Sequence, residues 1–463
     1  MSAEPLEIGA PTDDALAARE ARLFAALSIV VGILAGLSAV LFAVSIDAAG
    51  RLLFGFRPGA VRLALVPPLM SLVTGTLLAT LFPGVRGSGV PQTEAAYKLD
   101  GGIIPASVPI GKFVTGVLTI AAGHSMGREG PSVQIGGGIA SVIARWVRLS
   151  PDRVRDLVPV GVAGALAAAF NTPVSAVIFT LEEIIGDMNA PLLGSAVIAS
   201  VASVIVERAI LGNEPLFHVP QYRLVHPAEL AAYAALGIAG GVVSLIFCQG
   251  LLGARAAFKR LPRWTVPVQP AVGGVVIAVL LLTVPQVTGV GYGYVNQALN
   301  SGIVLKTMAL WCALKIVATI VSYSTGNAGG IFGPALYIGA MAGGAIGVLV
   351  HRVAPFPVAD PGAYALVGMG ALFAGILRAP MTSVFMIFEI TQDYQILVPL
   401  MVANLLSFTI SRRLQPVPIY HALLLQDGVH LDAAHLNGVN SQQPTPNAQS
   451  TPNSQLPRTS LEQ

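Results

Sequence analysis

Gly127-Arg128-Glu129-Gly130-Pro131 places an arginine and a glutamate inside sequence that is otherwise apolar enough to sit in lipid. An ionisable residue at membrane depth is costly and by default marks an ion or proton pathway. The residues around the pair suggest how an anion would be held. Pro131 suits the first turn of a helix, and Gly127 and Gly130 let backbone N–H groups approach a ligand closely. A helix that starts here aims its positive end at that anion. Arg128 and Glu129 do not read as a structural pair, because sequence neighbours on a helix do not face each other.

The surrounding chain fits a membrane setting. Of 463 residues, 54% are hydrophobic and 11% charged, with 50 glycines and a mean hydropathy of +0.73. A soluble globular chain carries about 25% charged residues, so this is a polytopic membrane protein, and the fold class expected of it is all-α. Runs long enough to span a bilayer, about 17 to 25 residues each, are Leu23–Ala49, Leu63–Phe82, Leu192–Leu211, Ala232–Leu252, Val268–Val287, Ile331–Val350 and Ile396–Ile410. Others are interrupted by Gly or Pro and read as half-helices. The net charge of +3 gives no footprint for nucleic acid. The basic clusters Arg255, Lys259, Arg260, Arg263 and Arg412, Arg413 read as cytoplasmic loops by the positive-inside rule. Cys248 and Cys312 lie in apolar runs and read as small core residues, since a disulfide framework or metal site needs more ligands. Residues 1–21 are expected to be a cytoplasmic segment without a cleaved signal, and 422–463 a polar, disordered tail.

Alignment of the chain with itself exposes a repeat. Lys112, Gly123, Gly127 and Pro131 recur 203 positions later as Lys315, Gly326, Gly330 and Pro334, so Glu129 falls opposite Phe332. Val160, Gly161, Pro173 and Glu182 recur 207 positions later as Val367, Gly368, Pro380 and Glu389. Two lysines holding register inside a membrane bundle, where lysine is rare, are hard to obtain by chance. The halves, about 22–211 and 229–413, share one plan within a transport domain expected over 22–421. Matching Gly/Pro-interrupted segments in two halves point to a transporter site at the repeat interface.

Three Gly-rich segments share the order glycine, one or two variable residues, then proline at a helix start: Gly87-Ser88-Gly89-Val90-Pro91, the segment at Gly127, and Gly329-Gly330-Ile331-Phe332-Gly333-Pro334. Helices broken at membrane depth are tolerated only where their freed backbone lines a cavity or is buried in protein. Backbone amides and a serine hydroxyl suit a halide better than a full positive charge, which would bind too tightly for release.

Together these segments resemble the CLC family of chloride channels and chloride/proton antiporters, from about Arg22 to His421. The family's GSGIP is Gly87–Pro91 with Val90 for isoleucine, its GREGP is intact at Gly127–Pro131, and its GIFxP is Gly330–Pro334. The resemblance implies two inverted-topology repeats of tilted and broken helices. It implies chloride binding by the hydroxyls of Ser88 and Tyr420 and by the amides of Ile331 and Phe332. Glu129 matches the gating glutamate, whose carboxylate competes with chloride for one anion position. Glu183, the second carboxylate of Leu181-Glu182-Glu183-Ile184, matches the internal proton-transfer glutamate of antiporters, which channels typically lack. The repeat sharpens that distinction. Glu182 has a counterpart in Glu389 and reads as structural, whereas Glu183 faces Ile390 and reads as functional. The resemblance further implies a homodimer with one pathway per subunit, chloride and protons as the transported species, no cofactor, and a prokaryotic plasma or inner membrane form without CBS domains.

The expected function is secondary active chloride/proton antiport. The first alternative is a passive, voltage- or pH-gated chloride channel. A remote one is an intramembrane hydrolase, because Gly123-His124-Ser125-Met126-Gly127 fits G-x-S-x-G, a motif that needs a strand before it and an Asp and His later. Lys112 and Lys315 read equally as helix caps, as a positive field near the pathway, or as members of packed ion pairs. His124 reads as a hydrogen-bonded structural residue, although its side chain titrates near neutrality when unperturbed.

Overall fold

The computed structural model describes residues 13–431 apart from 214, 221 and 223. The first repeat supplies α1 (Asp13–Phe54), α2 (Ala60–Thr80), α3 (Val90–Lys98), α4 (Ser107–Ala121), α5 (Glu129–Trp146), α6 (Pro151–Phe170), α7 (Pro173–Phe179) and α8 (Leu193–Leu211). The second supplies, in the same order, α9 (Glu229–Lys259), α10 (Gln269–Thr283), α11 (Tyr292–Leu299), α12 (Leu305–Ser324), α13 (Phe332–Val353), α14 (Pro361–Leu377), α15 (Pro380–Thr391) and α16 (Leu397–Leu414). α17 (Ile419–Gln426) follows without a counterpart.

Equivalent residues end equivalent helices. Asn171 and Arg378 both adopt the left-handed conformation, at φ 56° and 64°, and stop α6 and α14. Pro173 and Pro380 then open α7 and α15, a position where the missing N–H costs nothing. Packing repeats as well: α5 lies on α6 as α13 lies on α14, and α1 on α8 as α9 on α16. In each first pair two backbones meet at glycine, Gly136 on Gly161 and Gly339 on Gly368. A Cβ at any of these four would overlap the facing carbonyl oxygen. α14 is buried along nearly its whole length, so the core sits on the α5–α6 and α13–α14 pairs.

The halves exchange contacts reciprocally. Glu182 accepts from the amides of Met381 (3.2 Å) and Thr382 (2.9 Å) at the start of α15. Glu389 accepts from those of Val174 (2.8 Å) and Ser175 (2.7 Å) at the start of α7. Each carboxylate satisfies two orphan donors and meets the positive end of the facing helix. Contacts returned in this way require a two-fold relation between the halves. The fold is all-α, with two inverted-topology repeats of tilted and broken helices.

Among the described residues seven helices are long and apolar enough to cross a membrane. Six coincide with expected runs. The run read as Val268–Val287 instead stops at Thr283, and Pro285 opens a separate short turn. The seventh span is α12, whose apolar run is interrupted by Lys306 and Lys315. Two further differences concern charge and boundaries. Arg255 and Lys259 belong to the end of α9, and Arg412 and Arg413 to the last turn of α16, so these clusters sit on helices. α17 crosses the boundary expected at residue 421, because Leu423 and Leu424 are buried and Asp427 pairs with Arg255 at 2.8 Å and Lys259 at 2.6 Å. α1 likewise starts at Asp13, inside the segment expected to precede the helical body. The remainder of the expected tail, 432–463, lies outside the described residues.

Candidate functional site

Three helices begin where the three Gly-Pro segments place them: α3 at Val90, α5 at Glu129 and α13 at Phe332. Their N-terminal loops are joined by backbone pairing. Gly127 and Gly330, equivalent in the repeat, exchange two N–H···O bonds of 2.8 Å. Gly87 accepts from the Gly329 amide at 3.1 Å and donates to the Asn327 carbonyl at 3.3 Å. Three positive helix ends therefore converge, each with first-turn amides that an α-helix leaves without partners.

Glu129 occupies this convergence. Its side chain is fully buried. One carboxylate oxygen accepts from the Gly333 amide at 3.3 Å in the first turn of α13, and the other accepts a hydrogen bond from the Tyr292 hydroxyl at the start of α11. Arg128 turns away and reaches the Ala169 carbonyl at 3.4 Å, so the two neighbours have separate partners. The carboxylate thus sits on the end of a helix belonging to the other repeat, as an anion would.

Ser88 and Tyr420 are also fully buried, and neither Ser88 Oγ nor Tyr420 Oη has a hydrogen-bond partner among the described residues. Buried hydroxyls without partners are uncommon and call for an explanation. The Tyr420 phenol lies beside the Ser88 hydroxyl, near enough to interact with it, and within reach of the charges of Glu183 and Glu129, so one region holds all four groups. Ile331 precedes α13 and Phe332 opens it, which leaves both amides outside the helical hydrogen-bond ladder. Beside the Ser88 loop a cavity of about 370 Å³ is walled by Arg86, Arg255, Lys259, Asp427 and Tyr323 among others.

Glu183 lies in a π-helical turn, Thr180–Ile185, that continues α7, and it is 9% exposed. Wider turns of this kind recur at functional positions; the equivalent stretch of α15 is regular α-helix. Glu183 feels the charges of Glu94 and Lys98 on α3. Aromatic rings pack around Phe332, the residue that opens α13. Phe332 meets Phe373 at 4.4 Å, Phe170 at 4.9 Å and Phe179 at 5.5 Å between centroids.

The polar residues left open by the sequence find structural roles. Lys112 Nζ donates to the carbonyls of Val85 (2.6 Å) and Gly87 (2.8 Å), and Lys315 Nζ to those of Val287 (3.1 Å) and Gly289 (2.7 Å). Each lysine braces the loop that enters a half-helix, α3 or α11. His124 joins Ser71 at 2.6 Å and Ser322 at 3.1 Å in a buried network. Ser125 bonds Thr319 at 2.9 Å. Both lie in the loop between two helices, α4 and α5. Cys248 and Cys312 are free and buried.

Tyr292 is the residue that the sequence reading missed. Its segment, Gly291-Tyr292-Gly293, is the repeat counterpart of Gly89-Val90-Pro91 but lacks the proline. The available signal was a phenol in one repeat facing an aliphatic residue in the other, the asymmetry already used to separate Glu183 from Glu182.

Comparison with known proteins bears on the whole chain. The family model "Voltage gated chloride channel" matches residues 69–412. The H(+)/Cl(-) exchange transporter ClcA of Vibrio campbellii is 32% identical over 348 residues, 74% of this chain and 74% of its own. A putative chloride channel protein, ClcB-like, of Ralstonia nicotianae is 31% identical over 78% of this chain and 85% of its own. Among solved structures, a slow cyanobacterial Cl−/H+ antiporter superposes with a TM-score of 0.80 at 28% identity, covering 87% of this chain and 97% of that one.

Proposed function

Because the chain belongs to the voltage-gated chloride channel family, we propose that this multi-pass membrane protein is a secondary active antiporter exchanging chloride for protons. The observation that carries the reading is the Glu129 carboxylate seated on the Gly333 amide at the mouth of α13. One positive site serves either the carboxylate or chloride, so ionised Glu129 excludes the halide and protonated Glu129 yields to it. The orphan hydroxyls of Ser88 and Tyr420 and the free amides of Ile331 and Phe332 supply chloride's ligands.

Protons reach Glu129 from Glu183. Both carboxylates are buried. No hydrogen bond among the described residues joins the two, so the proposed transfer uses water. Glu183 favours this reading over a passive channel, the activity suggested by the name of the Ralstonia relative. An enzyme role finds no support, since Ser125 and His124 are spent on hydroxyl contacts. The subunits are expected to pair as a homodimer, as is typical of the family.

Proton uptake into liposomes, driven only by a chloride gradient, tests the proposal. The wild type is expected to move protons uphill, and Glu183→Gln to retain chloride flux while losing that movement. Chloride flux without proton movement in the wild type would make the protein a channel.

A further inference from the structure

The Tyr292 hydroxyl has no role in chloride ligation as set out above, yet it makes the most direct side-chain contact with Glu129. The ring is held at the start of α11, edge-on to Phe217 with centroids 5.1 Å apart. A buried phenol needs a partner for its O–H, and here that partner is a carboxylate oxygen. Glu129 therefore has two donors of different kinds. The Gly333 amide belongs to the anion site itself and can serve whichever anion is present. The phenol comes from a separate helix and bonds the oxygen that the amide leaves free.

The repeat adds a second, independent observation. Polar residues that brace the scaffold occur in both halves: Lys112 with Lys315, and Glu182 with Glu389. Residues assigned to transport occur in one half and face an apolar residue in the other: Ser88 faces Val290, Glu129 faces Phe332, Glu183 faces Ile390. Tyr292 faces Val90 and so belongs with the second group.

We infer that Tyr292 is a latch, a positioning residue that holds ionised Glu129 in the anion site and so weakens chloride's competition for it. The inference rests on the reading of Glu129 as the gating carboxylate. Arg128 and Tyr420 are the other charged or titratable groups electrostatically linked to this pair; neither donates a hydrogen bond to the carboxylate among the described residues. A charge-assisted bond in a buried site shifts an equilibrium by roughly ten-fold or more. Its loss therefore tilts the competition toward chloride by about that factor.

The test is a double-mutant cycle. Chloride binding to the full-length purified protein is measured by calorimetry for the wild type, Tyr292→Phe, Glu129→Gln and the double variant. Phenylalanine keeps the ring against Phe217 and removes only the donor. Tyr292→Phe is expected to tighten chloride binding roughly ten-fold and to raise exchange turnover in liposomes. In the Glu129→Gln background the same substitution is expected to change nothing. Unchanged binding in Tyr292→Phe while Glu129→Gln tightens it overturns the latch and leaves the gating reading standing. Weaker binding in Tyr292→Phe makes the phenol a chloride ligand and also overturns the latch. An equal effect in both backgrounds reduces Tyr292 to packing. Glu129→Gln that binds chloride as the wild type does removes the gating reading, and the latch falls with it.

Discussion

Ser88, proposed above as a chloride ligand, has a fully buried hydroxyl and a backbone that lies against α5. Hydrogen bonds to a charged group contribute about 1.5 to 3 kcal/mol. Ser88→Ala is therefore expected to weaken chloride binding at least roughly ten-fold while leaving the fold intact, as calorimetric titration with chloride would measure. Gly130→Ala attacks the same group from the other side. Its added Cβ would stand 2.5 Å from Ser88 Oγ and 2.8 Å from the Ser88 carbonyl oxygen, and backbone cannot swing aside as a flexible side chain can. Overpacking of this kind costs about 1 to 3 kcal/mol. It displaces the whole loop, so chloride efflux from liposomes should fall further in Gly130→Ala than in Ser88→Ala. Equal flux in the two would mean that the loop relaxes around the methyl group.

At the scale of the helix, the paired residues predict paired effects. Glu182→Gln and Glu389→Gln each keep the side chain's shape and withdraw its charge from the start of α15 or α7. Lost capping and dipole interactions of this sort cost about 0.5 to 2 kcal/mol. Both variants should melt earlier than the wild type in detergent, and both should still couple protons to chloride, unlike Glu183→Gln. Uncoupling in Glu182→Gln would reassign it to the proton path. The lysines separate stability from function more sharply. Lys112→Met strands the carbonyl of Val85 and leaves that of Gly87 with the Gly329 amide alone, and Lys315→Met strands those of Val287 and Gly289. Unsatisfied buried acceptors cost about 1 to 3 kcal/mol each, so both variants lose stability. Only the loop braced by Lys112 carries Ser88; its counterpart carries Val290. Chloride affinity should drop in Lys112→Met and stay near the wild-type value in Lys315→Met.

Over the whole molecule, a symmetric scaffold carries an asymmetric set of chemical groups, and that division governs what could be read from the chain. Glycines and prolines that set helix ends recur in both halves, so the repeat and the starts of α3, α5 and α13 were legible in spacing, whereas the role expected of Glu183 rested on the family resemblance, with the repeat in support. The joining of three loops was not, because the pairs Gly87–Ala328 and Gly127–Gly330 link positions more than 200 residues apart. α12 escaped because a buried lysine satisfied by carbonyls looks, in sequence, like a solvated charge. Tyr292 escaped because its segment keeps the glycine of its counterpart and loses the proline. α17 breaks the symmetry most plainly, and it brings Tyr420 to the site from outside both repeats. It is tied to each half: His421 meets Glu94 of α3 at 2.8 Å, and Asp427 meets Arg255 and Lys259 of α9. The Asp427 cluster lies at the surface, yet Arg255 is only 17% exposed and grips both carboxylate oxygens at 2.8 and 2.9 Å. Such a network belongs at the upper end of the range for surface pairs, about 1 kcal/mol, and is screened by salt. Asp427→Ala should lower the melting temperature in dilute buffer, with the difference shrinking in 1 M salt (Debye length about 3 Å). A melting temperature unchanged at both ionic strengths would mean that Leu423 and Leu424 hold α17 by packing alone, with the ion pairs contributing nothing.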